Sequence, residues 1–214
     1  MADIQHGKAD YLAQLDYFAA WGGRPWRDLL AHALHEFSGT DLEGQRILEI
    51  GTRHGRMACL LALLGGKVVG IDLHVYDLLR ARDEARQWKV SDQTTFIAYD
   101  GDLDIFADDA FDLVFSKSVL VFVRELGNYP TRLHAKLKPG GKIIFLENGR
   151  GNRLLHALRA IRHRNAPWNY RRTHYFTRSE LALIHDRFSV QSVHRHAVPP
   201  IYLILGHKKE GFDA

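Results

Sequence analysis

The sequence has a single cysteine, Cys59, so no disulfide can form within the chain. Because Cys59 lies in an apolar helical stretch, we expect a buried structural thiol rather than a nucleophile. No apolar run approaches the roughly 20 residues of a membrane span, and the start, MADIQHGKAD, has no apolar signal region. Chemistry that needs a cysteine adduct is therefore disfavoured, and we expect a soluble, cytoplasmic protein without a transmembrane segment.

One stretch of the chain also lacks acidic residues. Residues 149–179 contain eight Arg, three His and no Asp or Glu, in a chain of formal net charge +4. The apolar residues of its first half share one helical face: Leu154, Leu155, Leu158 and Ile161. This pattern predicts a basic amphipathic helix over 152–164. Such a helix can be a solvated surface helix, a lid over an acidic or phosphorylated substrate, or a contact with an anionic membrane or RNA.

The rest of the sequence is organised around ILEIGTRHG at 47–55, where a short apolar run meets a turn that opens a helix. Such a turn brings backbone N–H groups and a helix N-terminus close to an anionic or carboxylate-bearing ligand. Arg53 stands where the dinucleotide fingerprint requires its second glycine, which argues against NAD or FAD. Asp72 ends the next apolar run, VVGID, where a carboxylate can accept both ribose hydroxyls. We interpret ILEIGTRHG as a turn that binds a nucleotide cofactor; the alternative is a tight turn in an ordinary α/β sheet.

Apolar runs and helical patterns alternate along the chain. We predict five strands, at 46–51, 67–72, 94–100, 112–116 and 142–148. The helices predicted between them lie at 55–64, 77–88 and 124–137. This alternation predicts right-handed βαβ units and a parallel sheet. After a capping box, TRSE at 177–180, a helix follows, and two runs around Pro199–Pro200 predict an antiparallel hairpin at the sheet edge.

Two predicted helices precede the first strand. One covers 9–20, and the second begins near Pro25 and ends before Gly39. We divide the chain into two regions. Residues 1–40 form helices that either cap the cofactor cleft or merely cover the core, and residues 41–214 form the main domain. His32 and His35 lie three apart on the second helix, but no third ligand is spaced nearby, so we expect no metal site.

The ordered motifs resemble those of the class I S-adenosylmethionine-dependent methyltransferases, in particular small-molecule, type 11-like members. The family pattern after strand three, here Asp100, Phe106, Phe111 and Asp112, follows ILEIGTRHG and Asp72 and precedes LKPGG. The resemblance implies an α/β fold: a single Rossmann-like domain with a doubly wound, mostly parallel seven-stranded sheet and an antiparallel C-terminal hairpin. It also implies S-adenosyl-L-methionine as the cofactor.

The resemblance assigns cofactor contacts by position. Glu49 lies near the methionine end, Gly51, Thr52 and Gly55 line the methionine, Asp72 holds the ribose and Leu73 packs on the adenine. Asp100 accepts from the adenine amino group beside the Gly101 backbone, and Ser116 and Lys117 face the reacting centre. Family members often have glycine at the position of Arg53. We hypothesise that its guanidinium pairs with the cofactor carboxylate, a contact worth roughly 1.5 to 3 kcal/mol.

The reaction class follows from what strand four lacks. It ends FSKS, without the Asn/Asp-Pro-Pro-aromatic signature of enzymes that methylate nucleobase amino groups. We therefore predict metal-independent O-methylation of a small polar molecule, anionic or carrier-linked, such as a sugar or natural-product hydroxyl. The candidate bases are His174 and Glu147, and the candidate substrate-binding residues are Asn148, Tyr170 and Tyr175. Two alternatives stay open: an RNA methyltransferase whose basic insert at 149–179 contacts phosphates, and a non-catalytic S-adenosylmethionine-binding protein.

Overall fold

A computed structural model of the chain describes residues 8–19, 22–38, 41–99, 102–123, 125–151, 154, 157–158, 161 and 175–211. Four predicted site residues, Asp100, Gly101, Tyr170 and His174, lie outside these ranges. No helix among the described residues has the length and apolar content needed to cross a membrane.

A seven-stranded sheet forms the centre of the molecule. Its strands are β1 (Arg46–Ile50), β2 (Lys67–Asp72), β3 (Thr94–Ala98), β4 (Phe111–Lys117), β5 (Leu137–Asn148), β6 (Phe188–Ala197) and β7 (Pro200–Lys208). They lie in the order β3-β2-β1-β4-β5-β7-β6. The first five strands are parallel, and β7 runs antiparallel to both β5 and β6. The prediction of a mostly parallel sheet with an antiparallel C-terminal hairpin is confirmed.

Helices connect the strands. They are α1 (Lys8–Ala13), α2 (Leu15–Phe18), α3 (Gly23–His32), α4 (Arg56–Leu63), α5 (Val75–Gln87), α6 (Tyr129–Lys136) and α7 (Arg178–Arg187). A π-helical turn, Ala33–Ser38, extends α3. The capping box is confirmed: the Thr177 hydroxyl accepts a hydrogen bond from the Ser179 N–H, and the Glu180 carboxylate accepts one from the Thr177 N–H.

Three predicted boundaries were wrong. The helix predicted over 124–137 begins at Tyr129, because residues 125–128 form a turn ahead of it. The first helix is not continuous, because Gln14 leaves the helical conformation (φ −97°, ψ 20°) between α1 and α2. The fifth strand begins at Leu137 instead of at residue 142, because Leu137 already pairs with Phe111 before the register shifts. The Pro-Gly-Gly of LKPGG therefore lies in an irregular start of β5 rather than ahead of it.

The sheet separates two buried apolar layers. Ile47 and Leu48 are successive residues of β1 and belong to opposite layers, as the alternation of side chains along a strand requires. The layer of Ile47 contains α3 and α4, and the layer of Leu48 contains α6 and Phe188. Cys59 is fully buried in the first layer, and burial raises the pKa of its thiol, so the predicted structural role is supported.

Candidate cofactor site

Backbone hydrogen bonds hold the start of the turn after β1 against β2. The N–H groups of Gly51 and Thr52 both donate to the Ile71 carbonyl of β2, at 2.8 and 3.0 Å. Gly51 has φ +75°, and a Cβ on it would lie 2.1 Å from Val119 Cγ2. Both the backbone conformation and the approach of Val119 therefore require glycine here.

The start of α4 packs closely against α5. Gly55 also has φ +75°, and a Cβ on it would meet the Ala81 Cβ of α5 at 2.7 Å. Gly55 thus lets α4 begin directly against α5, so that the first N–H groups of α4 face the same end of the sheet as the turn.

Arg53 adopts a left-handed backbone, with φ +47°. This conformation costs a side-chain-bearing residue free energy that glycine does not incur, which accounts for the family's frequent glycine at this position. The Arg53 N–H donates to Asp72 Oδ2 at 2.9 Å, and the side chain itself is exposed. Pairing of its guanidinium with the cofactor carboxylate stays a prediction.

Asp72 is oriented by the backbone on both sides. Its Oδ2 accepts from Arg53 N, and its Oδ1 accepts from His74 N at 3.0 Å. An ionised carboxylate has about four acceptor positions, so about two remain for further hydroxyl donors. The Tyr99 N–H donates to the Asp72 carbonyl at 2.9 Å and fixes the end of β3 beside this group. The carboxylate is thus held in place at the end of β2, and its binding of the ribose hydroxyls stays a prediction.

Glu49 is buried beside the turn. Its Oε2 accepts from the Thr52 hydroxyl at 2.6 Å. Burial, reinforced by the negative charge of Asp72, raises the pKa of the Glu49 carboxyl to about 7. Gly70 lies opposite Glu49 in β2, where a Cβ would sit 2.8 Å from Thr52 Oγ1. Sequence reasoning missed Gly70, although its place two residues before Asp72 in VVGID marks it.

Glu147 and the loop after β4 form a second buried polar group. Glu147 Oε1 accepts from the Ser116 hydroxyl at 2.8 Å and from the N–H groups of Val119 and Leu120 at 3.3 and 3.1 Å. Its Oε2 is buried with no hydrogen-bond partner in the described part of the chain. Burial raises the pKa of Glu147 to about 7. In this position the side chain orients the loop that carries Val119 to Gly51, and a role as base stays a prediction.

Lys117 connects the end of β4 to the N-terminal helices. Its Nζ donates to the Ala19 carbonyl at 2.7 Å and lies 5.1 Å from the centre of the Trp26 ring. Burial lowers the pKa of Lys117 to about 7, and the nearby positive charge of Arg53 also lowers it. Sequence reasoning gave no signal for Ala19 and Trp26, because each lies about 90 or more residues from Lys117 in the chain.

Asn148 and Tyr175, two of the predicted substrate-binding residues, lie together at the end of β5. The Asn148 side-chain amide donates to the hydroxyl of Ser118, which has φ +60°. Phe176 N donates to the Asn148 carbonyl at 2.9 Å, and this bridge brings half-buried Tyr175 beside the strand end. On the cofactor side, Leu73, the residue predicted to pack on the adenine, follows Asp72, and its side chain is exposed.

His32 is the last residue of α3, and His35 lies in the π-helical turn that extends it. His32 Nε2 lies 2.8 Å from His194 Nε2 of β6, while His35 is exposed. Across the described ranges, no group of three or more His, Cys, Asp or Glu side chains is placed to hold a metal ion.

Two curated proteins resemble parts of this chain. Sterol 24-C-methyltransferase of Pneumocystis carinii is 28% identical over 100 residues, covering 46% of this chain and 26% of that protein. The tRNA U34 carboxymethyltransferase of Methylococcus capsulatus is 33% identical over 125 residues, covering 56% and 37%. The chain thus spans about a quarter to a third of the length of these relatives.

The fold itself is shared with solved structures. An S-adenosylmethionine-dependent methyltransferase from Mesorhizobium loti aligns with a TM-score of 0.71 and 20% identity, over 91% of this chain and all of that one. Residues 48–145, from β1 into β5, match the family model described as a methyltransferase domain. The glycine turn after β1 and Asp72 lie within this segment, as do strands β2, β3 and β4. Residues 48–145 are therefore a methyltransferase domain, and the chain has the fold of the class I S-adenosylmethionine-dependent methyltransferases, a family whose cofactor is S-adenosyl-L-methionine.

Proposed function

We propose that this methyltransferase transfers a methyl group to a hydroxyl oxygen of a small or carrier-linked polar molecule. The observation that carries the proposal is the set of groups at the ends of β4 and β5. Ser116, Lys117 and Ser118, at the end of β4, stand where enzymes that methylate nucleobase amino groups have Asn/Asp-Pro-Pro-aromatic. Asn148, at the end of β5, donates to the Ser118 hydroxyl beside them. Hydroxyl and amide groups suit the orientation of a polar acceptor through hydrogen bonds. The cofactor supplies the methyl group, and the protein supplies alignment and proton transfer.

Lys117 adds a third candidate base to His174 and Glu147. Its pKa of about 7 leaves part of the population uncharged near neutral pH, and an uncharged amine can accept the proton of an acceptor hydroxyl. Lys117 lies at the carboxyl end of β4, where ligands approach sheets of this kind. Glu147 is fully buried behind the loop of Val119, which favours Lys117 over Glu147 for direct contact with an acceptor.

Methyl-labelled S-adenosylmethionine tests the proposal directly. Purified protein is incubated with hydroxylated sugars and phenols, with matched amines and with RNA, and the labelled product is identified. We expect label on hydroxyl oxygen, and a decrease in kcat of roughly a hundred- to ten-thousand-fold in Lys117→Met if Lys117 is the base. Lys138→Met, which removes the ion pair with Asp112, is the matched control. Label found only on nitrogen or carbon contradicts the proposal.

An RNA methyltransferase is the second candidate. The basic stretch at 149–179 and the similarity to a tRNA U34 carboxymethyltransferase favour it. Arginines that contact phosphates release counterions, so binding of RNA would weaken steeply as salt rises. Salt-insensitive turnover, with no label in RNA, would rule this candidate out.

A further inference from the structure

Large apolar side chains are exposed around the mouth of the cofactor cleft. Val75 and Tyr76 lie just beyond β2, Ile105 lies beyond β3 and Phe122 beyond β4, and all four are exposed, Tyr76 at 84%. The carboxyl ends of parallel strands meet at one edge of a sheet, so these residues share that edge. Leu73 is exposed there too, but its assigned partner is the adenine ring.

The segment beyond β5 continues this surface. Leu154, Leu158 and Ile161 are helical and are 70, 53 and 66% exposed. Their spacing of four and three residues places them on one helical face. A surface helix of a globular domain turns its apolar stripe toward the core, whereas this face is open to solvent. At these three positions the apolar side chains are therefore not covered by the core of the domain.

The charge of the same segment indicates what covers that face. Residues 149–179 carry eight Arg and three His without a single Asp or Glu. An apolar helical face combined with an Arg-rich polar face is typical of helices that lie in the headgroup region of an anionic bilayer. RNA is a poorer match for the helical face, because single-stranded nucleic acid is held by stacking on aromatic rings, and Leu154, Leu158 and Ile161 are aliphatic.

We propose that the face formed by Leu154, Leu158 and Ile161 docks the mouth of the cofactor cleft on an anionic lipid surface. The exposed Tyr76 and Phe122 lie at the same edge of the sheet and extend the contact. Docking in this orientation gives an acceptor held in the headgroup region direct access to the ends of β4 and β5. The inference concerns the lipid contact, and it holds whichever atom of the acceptor receives the methyl group.

Sedimentation with lipid vesicles tests the contact. The full chain is mixed with vesicles of phosphatidylcholine and phosphatidylglycerol, and in parallel with vesicles of phosphatidylcholine alone. We expect partition into the anionic vesicles, reduced at least about tenfold in Leu154→Ser/Leu158→Ser/Ile161→Ser because the buried apolar area is lost. Affinity for S-adenosylmethionine and the circular dichroism spectrum should be those of the wild type.

A single pair of variants provides the matched control. Val193, in the middle of β6, is 37% exposed and lies away from the edge of the sheet that carries Leu154. Val193→Ser should retain the vesicle binding of the wild type, while Leu154→Ser should weaken it. Vesicle binding that survives the triple change would show attraction by charge alone and overturn the proposal. Binding of single-stranded RNA with none to vesicles would overturn it too. Since methyl transfer is measured separately, a failure here is distinguishable from a failure of the O-methylation proposal.

Discussion

The turn after β1 and the segment after β5 lie at the same edge of the sheet, yet they are built in different ways. In the turn, Glu49, Thr52 and Asp72 are buried, and each makes a hydrogen bond within the turn or to β2. In the segment, Leu154, Leu158 and Ile161 face solvent. The cofactor is the same in every reaction, so the folded chain can form its site completely. The segment after β5 instead leaves apolar side chains open to solvent, and the proposed lipid contact would cover them.

The largest effect that this contrast predicts is on cofactor affinity at Asp72. Asp72→Ala removes the carboxylate proposed to accept both ribose hydroxyls, each hydrogen bond to a charged group being worth at least about 1.5 kcal/mol. We expect S-adenosylmethionine to bind roughly a hundredfold more weakly by calorimetry, and vesicle binding to be unchanged. Asp92→Ala, in the exposed turn Ser91–Gln93, is the control. A loss of less than about threefold at Asp72 would break the assignment.

A smaller effect concerns the pH dependence of the same binding. The cofactor carries a sulfonium and an ammonium group, so it should favour the ionised form of Glu49, whose pKa is about 7. Protons then compete with the cofactor, and the affinity should fall about tenfold from pH 8 to pH 6. Glu49→Gln should bind with an affinity that varies little over this range. An unchanged pH profile in the variant would exclude Glu49 as the titrating group.

For folding stability, the pH dependence that Glu49 contributes has a definite sign. Its pKa in the folded state is raised above the ordinary 4.5, so its contribution is fully present below about pH 4.5 and is lost as the pH rises through about 7. Urea denaturation should therefore show that the stability of Glu49→Gln relative to the wild type improves from pH 5 to pH 8.

The smallest expected effect distinguishes the contribution of the Arg53 backbone conformation to stability from the contribution of its side chain to cofactor affinity. Arg53→Gly should weaken S-adenosylmethionine binding about fivefold, less than a buried contact would give, because the exposed guanidinium is screened. The same change should stabilise the fold by about 1 kcal/mol, since glycine adopts φ +47° without strain. Arg53→Ala is the matched variant: it should lose affinity equally and gain no stability. Unchanged affinity in both would refute the pairing with the cofactor carboxylate.

Local patterns made much of the cofactor site predictable. The strand-to-helix turn needs glycines at defined positions, and ILEIGTRHG displays them. Asp72 was identifiable because it ends the next apolar run. Lys117, by contrast, was assigned to the reacting centre without its contacts to Ala19 and Trp26. Glu147 was predicted as a base without its hydrogen bonds to the loop after β4. Such partners are distant in sequence and leave no periodic signal.

The sequence by itself determined the alternation of strands and helices, the antiparallel hairpin and the position of the glycine turn after β1. These features depend on side-chain periodicity and on backbone conformations that few residues allow. Only the tertiary structure decided that Glu147 lies buried behind a loop, that Lys117 contacts the N-terminal helices and that the apolar face near Leu158 is open to solvent. Burial depends on which elements pack together, because the same amphipathic pattern serves a helix on the core and a helix on a lipid surface.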